Sequence, residues 1–181
     1  LPPVGPCHQV DERTQTNWNG IVGRIELEIA PLISICDIQV YPDVTNRAVR
    51  VVTTLENSTR WTGHVDLTIS AQIAESDIDV DPLLSVVRPE TGTTIVEHTL
   101  QLPDDMPMWD EFNRSLIRLS VETSAQPRAE MVCDLKTVEF GMRSFGTNRG
   151  QFVINGRRIF LRGKNDAALF PITGYAPMTK E

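Results

Sequence analysis

Apolar residues recur at every second position through most of this chain, and no long segment keeps a helical period. The clearest case is Val65-Asp-Leu-Thr-Ile-Ser-Ala-Gln-Ile73. It puts Val65, Leu67, Ile69, Ala71 and Ile73 on one face of a strand and Asp66, Thr68, Ser70 and Gln72 on the other. Such a strand buries one face and wets the other, as antiparallel sheets do. Residues 47–57 carry Val49, Val51 and Leu55 on one side, and residues 115–123 carry Ile117, Leu119 and Val121. These three segments are expected to be central strands. Further strands are predicted over 32–41, 83–88, 93–102 and 129–140, separated by turn-forming stretches such as Pro42-Asp43, Arg60 to Gly63 and Pro89 to Gly92. Seven short strands at this spacing predict an all-β protein built as a two-sheet sandwich.

Two local features refine the pattern. In the last predicted strand Met131, Cys133 and Leu135 share one parity while Val138 and Phe140 take the other, which predicts a β-bulge or sheet switch near Lys136 and Thr137. Beyond it, Asn155-Gly156 sits between the apolar runs Phe152 to Ile154 and Arg157 to Leu161. Asn and Gly best tolerate the positive φ that both central residues of a type I′ turn require, so a hairpin is predicted there. The first thirty residues differ: Leu1 to Thr16 is polar and Pro-rich, and Asn17 to Ile29 reads as a turn feeding one strand that lacks a sheet of its own.

Composition narrows the function classes. A chain of 181 residues can bury roughly 70% of its unfolded surface, enough for a core without metal or disulfide support. With 17 basic against 24 acidic residues the formal charge is −7, and no Lys/Arg cluster has the density of a phosphate-binding face. Nucleic acid is not an expected partner. Neither is a membrane, since no apolar run approaches the roughly 18 to 20 residues of a spanning helix. The start Leu-Pro-Pro-Val-Gly-Pro has none of the features of a signal peptide, and the chain reads as cut at both ends. Cys7, Cys36 and Cys133 are too few for a disulfide framework or a Cys-x-x-Cys metal site. Cys36 and Cys133 are read as buried thiols acting as small hydrophobes, or alternatively as a bonded pair.

No constellation for catalysis emerges from the residues themselves. His8, His64 and His98 are far apart and no Gly-x-Ser-x-Gly is present. His98 shares parity with Val96, Leu100 and Leu102, which predicts a hydrogen-bonded histidine at a sheet margin. Asp77-Ile-Asp-Val-Asp81 has the spacing of calcium ligands, but an EF-hand register puts Pro82 at the required Gly and Arg88 at the bidentate Glu. It is read as a solvated acidic loop, with no metal and no cofactor called. Asn57-Ser-Thr59 and Asn113-Arg-Ser115 match the glycosylation sequon and are assigned no function. Trp18, Trp61 and Trp109 could each present an indole face to a sugar ring or fill core space; Trp109 is read as packing, and for Trp61 both readings stay open.

The closing third supplies a resemblance. Asp134-Leu-Lys-Thr-Val-Glu-Phe-Gly-Met-Arg-Ser-Phe145 leads into Phe152-Val-Ile-Asn-Gly-Arg-Arg-Ile-Phe-Leu-Arg-Gly163, and Asn17-Trp-Asn-Gly-Ile21 lies upstream. Over residues 17–175 this resembles glycoside hydrolase family 2, the family of β-galactosidases, β-glucuronidases and β-mannosidases. The resemblance implies three parts: residues 1–30 as the remnant of a jelly-roll sugar-binding domain or an arm, 31–145 as an immunoglobulin-like β-sandwich, and 146–181 as a hairpin and linker leading into a (β/α)8 barrel. It implies a parent enzyme hydrolysing O-glycosidic bonds with retention, by two glutamates on barrel strands that lie outside this chain. The chain itself is then a non-catalytic element that docks the barrel and the N-terminal domain of the same polypeptide. A bacterial periplasmic or secreted location is favoured over the cytoplasm if the parent degrades polysaccharide.

After Arg-Gly the family typically continues Val-Asn-Arg-His-Glu and places polar side chains near the sugar. Here Asn165 keeps the Asn, whereas Asp166, Ala167 and Ala168 replace the Arg or Lys, the His and the Glu. Lys164, Asn165 and Asp166 are therefore the candidates for a substrate-proximal edge in a parent acting on a different glycoside. An autonomous carbohydrate-binding or adhesion module, centred on Trp61, is the alternative from another class. A generic immunoglobulin-like interaction domain ranks third, because it leaves the Asn-Gly hairpin and the Arg-Gly tail unexplained.

Overall fold

A computed structural model describes residues 25–73, 78 and 80–164 of the chain. Ala30–Leu161 form one compact unit; Leu1–Ile29 and Arg162–Glu181 form another, of which 25–29 and 162–164 are described. Residues 25–29, expected to lie in a strand, are outside any strand, and Ile25, Leu27 and Ile29 are exposed. An extended segment with no neighbouring strand has nothing to pair its amides.

The larger unit is all-β. Its strands are β1 (Ile33–Asp43), β2 (Ala48–Asn57), β3 (Val65–Ile73), β4 (Leu83–Val87), β5 (Gly92–Gln101), β6 (Ile117–Ala125) and β7 (Val132–Phe140), followed by the short β8 (Phe145–Asn148), β9 (Gln151–Ile154) and β10 (Arg157–Arg158). One sheet runs β1-β2-β5, the second β4-β3-β6-β7, and a small third sheet β10-β9-β8. All pairings are antiparallel. The three segments with the cleanest alternation, β2, β3 and β6, are the interior strands of the two large sheets, as their patterning predicts.

The core lies between these sheets. Val49, Val51 and Leu55 from β2 meet Leu67, Ile69 and Ala71 from β3 and Ile117, Leu119 and Val121 from β6, all essentially inaccessible. Met106 and Met142 fill the same core from loops. Complete burial contributes about 1.5–3 kcal/mol for each large aliphatic side chain, so this layer dominates the stability of the unit. A satellite cluster of Ile33, Val65 and Ala125 lies under Trp61.

The sandwich is closed at its margins by polar side chains. β1 contains a bulge between Ile35 and Asp37. The Ile35 amide donates to Asp134 Oδ2 at 2.6 Å, and the Lys136 ammonium donates to the Cys36 carbonyl at 3.1 Å. Alternate inward residues of β7 thus engage backbone groups at the bulge. This corrects the bulge expected near Lys136 and Thr137: β7 pairs with β6 in unbroken register from Val132 to Phe140. Its parity follows Val138 and Phe140, so Met131, Cys133 and Leu135 face outward. The apparent change of parity arises because Asp134 and Lys136 occupy inward positions as clamps on β1. The same arrangement overturns both readings of the cysteines. Cys36 lies in the bulge and Cys133 on the outer face, each a free and exposed thiol. At the opposite margin His98 on β5 meets Ser85 on β4 at 2.9 Å, the marginal hydrogen bond expected of it.

Candidate functional site

Two of the stretches quoted for the family resemblance, Phe-Gly-Met-Arg and the Asn155-Gly156 hairpin, meet at one end of the sandwich, while Asn17 to Ile21 lies outside the described residues. Gly141 leaves room for Trp109: a Cβ added there would sit 2.6 Å from Trp109 Cβ and Cγ. The adjoining Met142 is buried in the core, and its carbonyl accepts the Trp109 amide at 2.9 Å. Arg143 then lays its guanidinium over the indole, 4.5 Å from the ring centroid. Phe-Gly-Met-Arg is therefore a seat for one tryptophan, which packs structurally as its loop predicts.

The Asn155-Gly156 turn joins this seat. Both residues have positive φ, 50° and 77°, which fits the type I′ turn, and β9 pairs with β10 across it. The Asn155 side chain does more than turn the chain. Its Nδ2 donates to the Trp109 carbonyl at 3.0 Å and its Oδ1 accepts from the Ser144 amide at 2.8 Å. Its own amide donates to the Ser144 carbonyl at 2.9 Å. One amide side chain thus ties the small sheet to the loop between β5 and β6 and to the exit of β7. A second turn, Arg149-Gly150, also with positive φ at both residues, joins β8 to β9. Sequence reasoning missed it, although the Gly following Asn148-Arg149 was the available signal.

Next to Trp109 the loop closes on itself. Asp110 Oδ1 accepts the amides of Phe112 and Asn113, both at 2.8 Å. Those bonds, Asn113's first, hold the Asp110 carboxyl below its ordinary value, with a smaller contribution from the Arg157 cation. Arg157 reaches Glu111 at 2.7 Å and Asp110 at 3.6 Å, and its guanidinium stands 5.1 Å from the Phe112 ring centroid. Exposed rings lie beside this polar centre: Phe145 and Phe152 stack at 5.7 Å between centroids on the sheet face that carries Arg157, and Phe112 beside that guanidinium is 81% exposed. Phe160, 77% exposed, packs against Arg158, which the register places on the other face.

The other candidates fall elsewhere. Trp61 is half-buried; its indole covers Ile33, Val65 and Ala125, and a Cβ on Gly63 would stand 2.0 Å from its Cζ2. Its carbonyl accepts the Asn57 side-chain amide at 2.7 Å, in a turn also braced by Thr59. Lys164 is exposed, while Asn165 and Asp166 lie outside the described residues, as do Asp77 and Asp79 of the acidic loop. His64 accepts from Arg88 Nε at 2.8 Å, far in sequence from His98. Among the described residues no group of three or more His, Cys, Asp or Glu is placed to hold a metal. An open cleft of about 440 Å³ lies between the β1–β2 turn and Ser144. The Asp43 carboxyl at its edge is engaged by Asn46 and Thr45, and Tyr41 donates to Gln39.

No family model matches the sequence, and no curated protein matches it. Solved structures do. A glycosyl hydrolase family 2 member from Bacteroides cellulosilyticus aligns over 72% of this chain with a TM-score of 0.60 at 19% identity. A β-glucuronidase from Bacteroides uniformis aligns over 74% with a TM-score of 0.56 at 14% identity, and a family 2 β-galacturonidase from Eisenbergiella tayi, solved with galacturonate, over 71% with 0.51 at 16%. The chain spans only 18%, 16% and 22% of the length of those three structures. The described sandwich thus has the fold of a segment found within glycoside hydrolase family 2 structures, as the resemblance in its closing third implies.

Proposed function

We propose that the chain is the non-catalytic β-sandwich portion of a family 2 glycoside hydrolase, and that the surface around Phe145, Phe152 and Phe112 docks the catalytic barrel of the same polypeptide. The observation that carries this reading is the exposed aromatic surface built on the Trp109 seat, immediately before the segment that the resemblance assigns to the barrel. Rings held on a braced three-stranded sheet would fix the barrel's orientation at little entropic cost, since their backbone is already ordered. The parent would hydrolyse glycosides with retention through two carboxylates on the barrel. Residues 1–30 would belong to the preceding sugar-binding domain and 146–181 to the passage into the barrel, with Lys164, Asn165 and Asp166 at the edge of the sugar site.

The test is a comparison of this chain with the longer polypeptide. The 181-residue chain alone is expected to hydrolyse no nitrophenyl glycoside. In the longer polypeptide, Phe145→Ser with Phe152→Ser should split one cooperative unfolding transition into two and lower activity. Turnover by the isolated chain, or a single unchanged transition in the double variant, would defeat the proposal. A tryptophan-fluorescence titration with oligosaccharides should be blank for a docking element, and saturable quenching would favour a carbohydrate-binding module.

A further inference from the structure

Two buried side-chain atoms, Thr53 Oγ1 and His98 Nδ1, have no hydrogen-bond partner among the described residues. Both residues turn to the inward face of the β1-β2-β5 sheet. Thr53, wholly inaccessible, shares the parity of Val51 and Leu55 on β2, and His98 shares that of Val96 and Leu100 on β5. The ladder pairs Thr53 with Val96 and Val51 with His98, so the two polar residues are diagonal neighbours on adjacent strands. Their companions on that face, Val51, Leu55, Val96 and Leu100, are aliphatic and offer no donor or acceptor. The backbone of β2 is engaged in ladders on both sides. Ser85, across the margin on β4, meets the other ring nitrogen, His98 Nε2, at 2.9 Å.

We propose that a single water molecule is bound between Thr53 and His98 as an internal ligand of the sandwich. Buried polar groups in native cores are nearly always paired, with protein or with ordered water, and an unpaired one costs stability. The hydroxyl and the ring nitrogen are close enough in register to share a partner, yet they do not bond each other. That is the separation at which a bridging water serves. Water also suits the chemistry of the pair, because it both donates and accepts. It can donate to Nδ1 when Nε2 carries the ring hydrogen and accept from Nδ1 when the hydrogen is there, while the Thr53 hydroxyl rotates to match. Two convergent polar groups meet the lower end of the two to four partners that a buried water typically has. The resulting chain of Ser85 hydroxyl, His98 ring, water and Thr53 hydroxyl runs from the second sheet into the first, through an otherwise aliphatic layer.

A high-resolution crystal structure of the chain, paired with one substitution, tests this. Density for one water is expected within hydrogen-bond distance of both Thr53 Oγ1 and His98 Nδ1. Thr53→Val keeps the side chain's shape and removes only the hydroxyl, so the sign of its effect is informative. If a water bridges the pair, the variant strands the water and the ring nitrogen, and the folded-to-unfolded ratio should fall roughly five-fold or more. Thr53→Ser, which keeps the hydroxyl, should retain the water density. If the hydroxyl is instead unpaired, Thr53→Val relieves it, and a denaturant midpoint that rises overturns the proposal. So does a direct Thr53–His98 hydrogen bond, or the absence of density between them in the unaltered chain.

Discussion

Gly141 lies directly under Trp109, so close that the smallest side chain would stand 2.6 Å from the indole's Cβ and Cγ. A glycine there is a steric requirement rather than a demand of backbone conformation. Gly141→Ala should therefore force the tryptophan off its seat, at a cost of about 1–3 kcal/mol typical of overpacking. Denaturant unfolding measures the loss. A shift in tryptophan emission under native conditions identifies its cause, and an unchanged midpoint would remove Gly141 from this role.

Asn155 combines a turn requirement with two side-chain hydrogen bonds, and substitutions can separate these. Asn155→Gly keeps the positive φ but removes the bonds to the Trp109 carbonyl and the Ser144 amide. Asn155→Ala loses both. The Gly variant should lose about 1–2 kcal/mol and the Ala variant more. Equal losses would mean that the positive φ contributes little, and an undiminished Gly variant that the side-chain bonds do.

At the β1–β7 margin one carboxylate holds a buried amide. Removing Asp134 leaves the amide of Ile35, a residue only 1% exposed, without its acceptor. Asp134→Ala should cost about 1–3 kcal/mol and accelerate hydrogen exchange at Ile35 well beyond its effect on β3. Uniform acceleration across the sandwich would argue against a local clamp.

Acid should loosen the Trp109 loop before the core. The Asp110 carboxyl is held below its ordinary value in the folded chain, chiefly by the Asn113 and Phe112 amides. Its contribution to stability is complete above the unfolded value of about 3.9 and is lost as pH falls through the lower folded value. The amide resonances of Phe112 and Asn113 should titrate together with a midpoint below that of an ordinary aspartate. A midpoint at or above it would contradict the geometry.

The thiols of Cys36 and Cys133 are exposed and unbonded. Both should be alkylated without denaturant, as read from labelled peptides by mass spectrometry. Protection of either until the chain is unfolded would contradict the outward orientation of β7 or the exposure of the β1 bulge.

Legibility in the sequence followed the strength of local pattern. Val65 to Ile73 gave both the boundaries and the buried face of β3, because strict alternation has one solution when one face must be dry. Asn155-Gly156 gave its turn for the same kind of local reason. Asp134 and Lys136 misled because their polarity suggested an outward face. Whether a charged residue points inward depends on a backbone amide about a hundred residues away in β1, and no local period encodes that. The candidate site was half legible: Phe-Gly-Met-Arg and Asn-Gly were visible as separate landmarks, whereas their meeting at Trp109 is a tertiary fact.

The two margins of the sandwich differ in kind. One is fastened by a carboxylate and an ammonium on β7, the other by a hydrogen bond between the His98 imidazole on β5 and the Ser85 hydroxyl on β4. Dissolved salt screens the partly exposed carboxylate and ammonium contacts on β7. At high ionic strength the fold should behave like a book whose covers part along β1 and β7, with β4 and β5 acting as the spine.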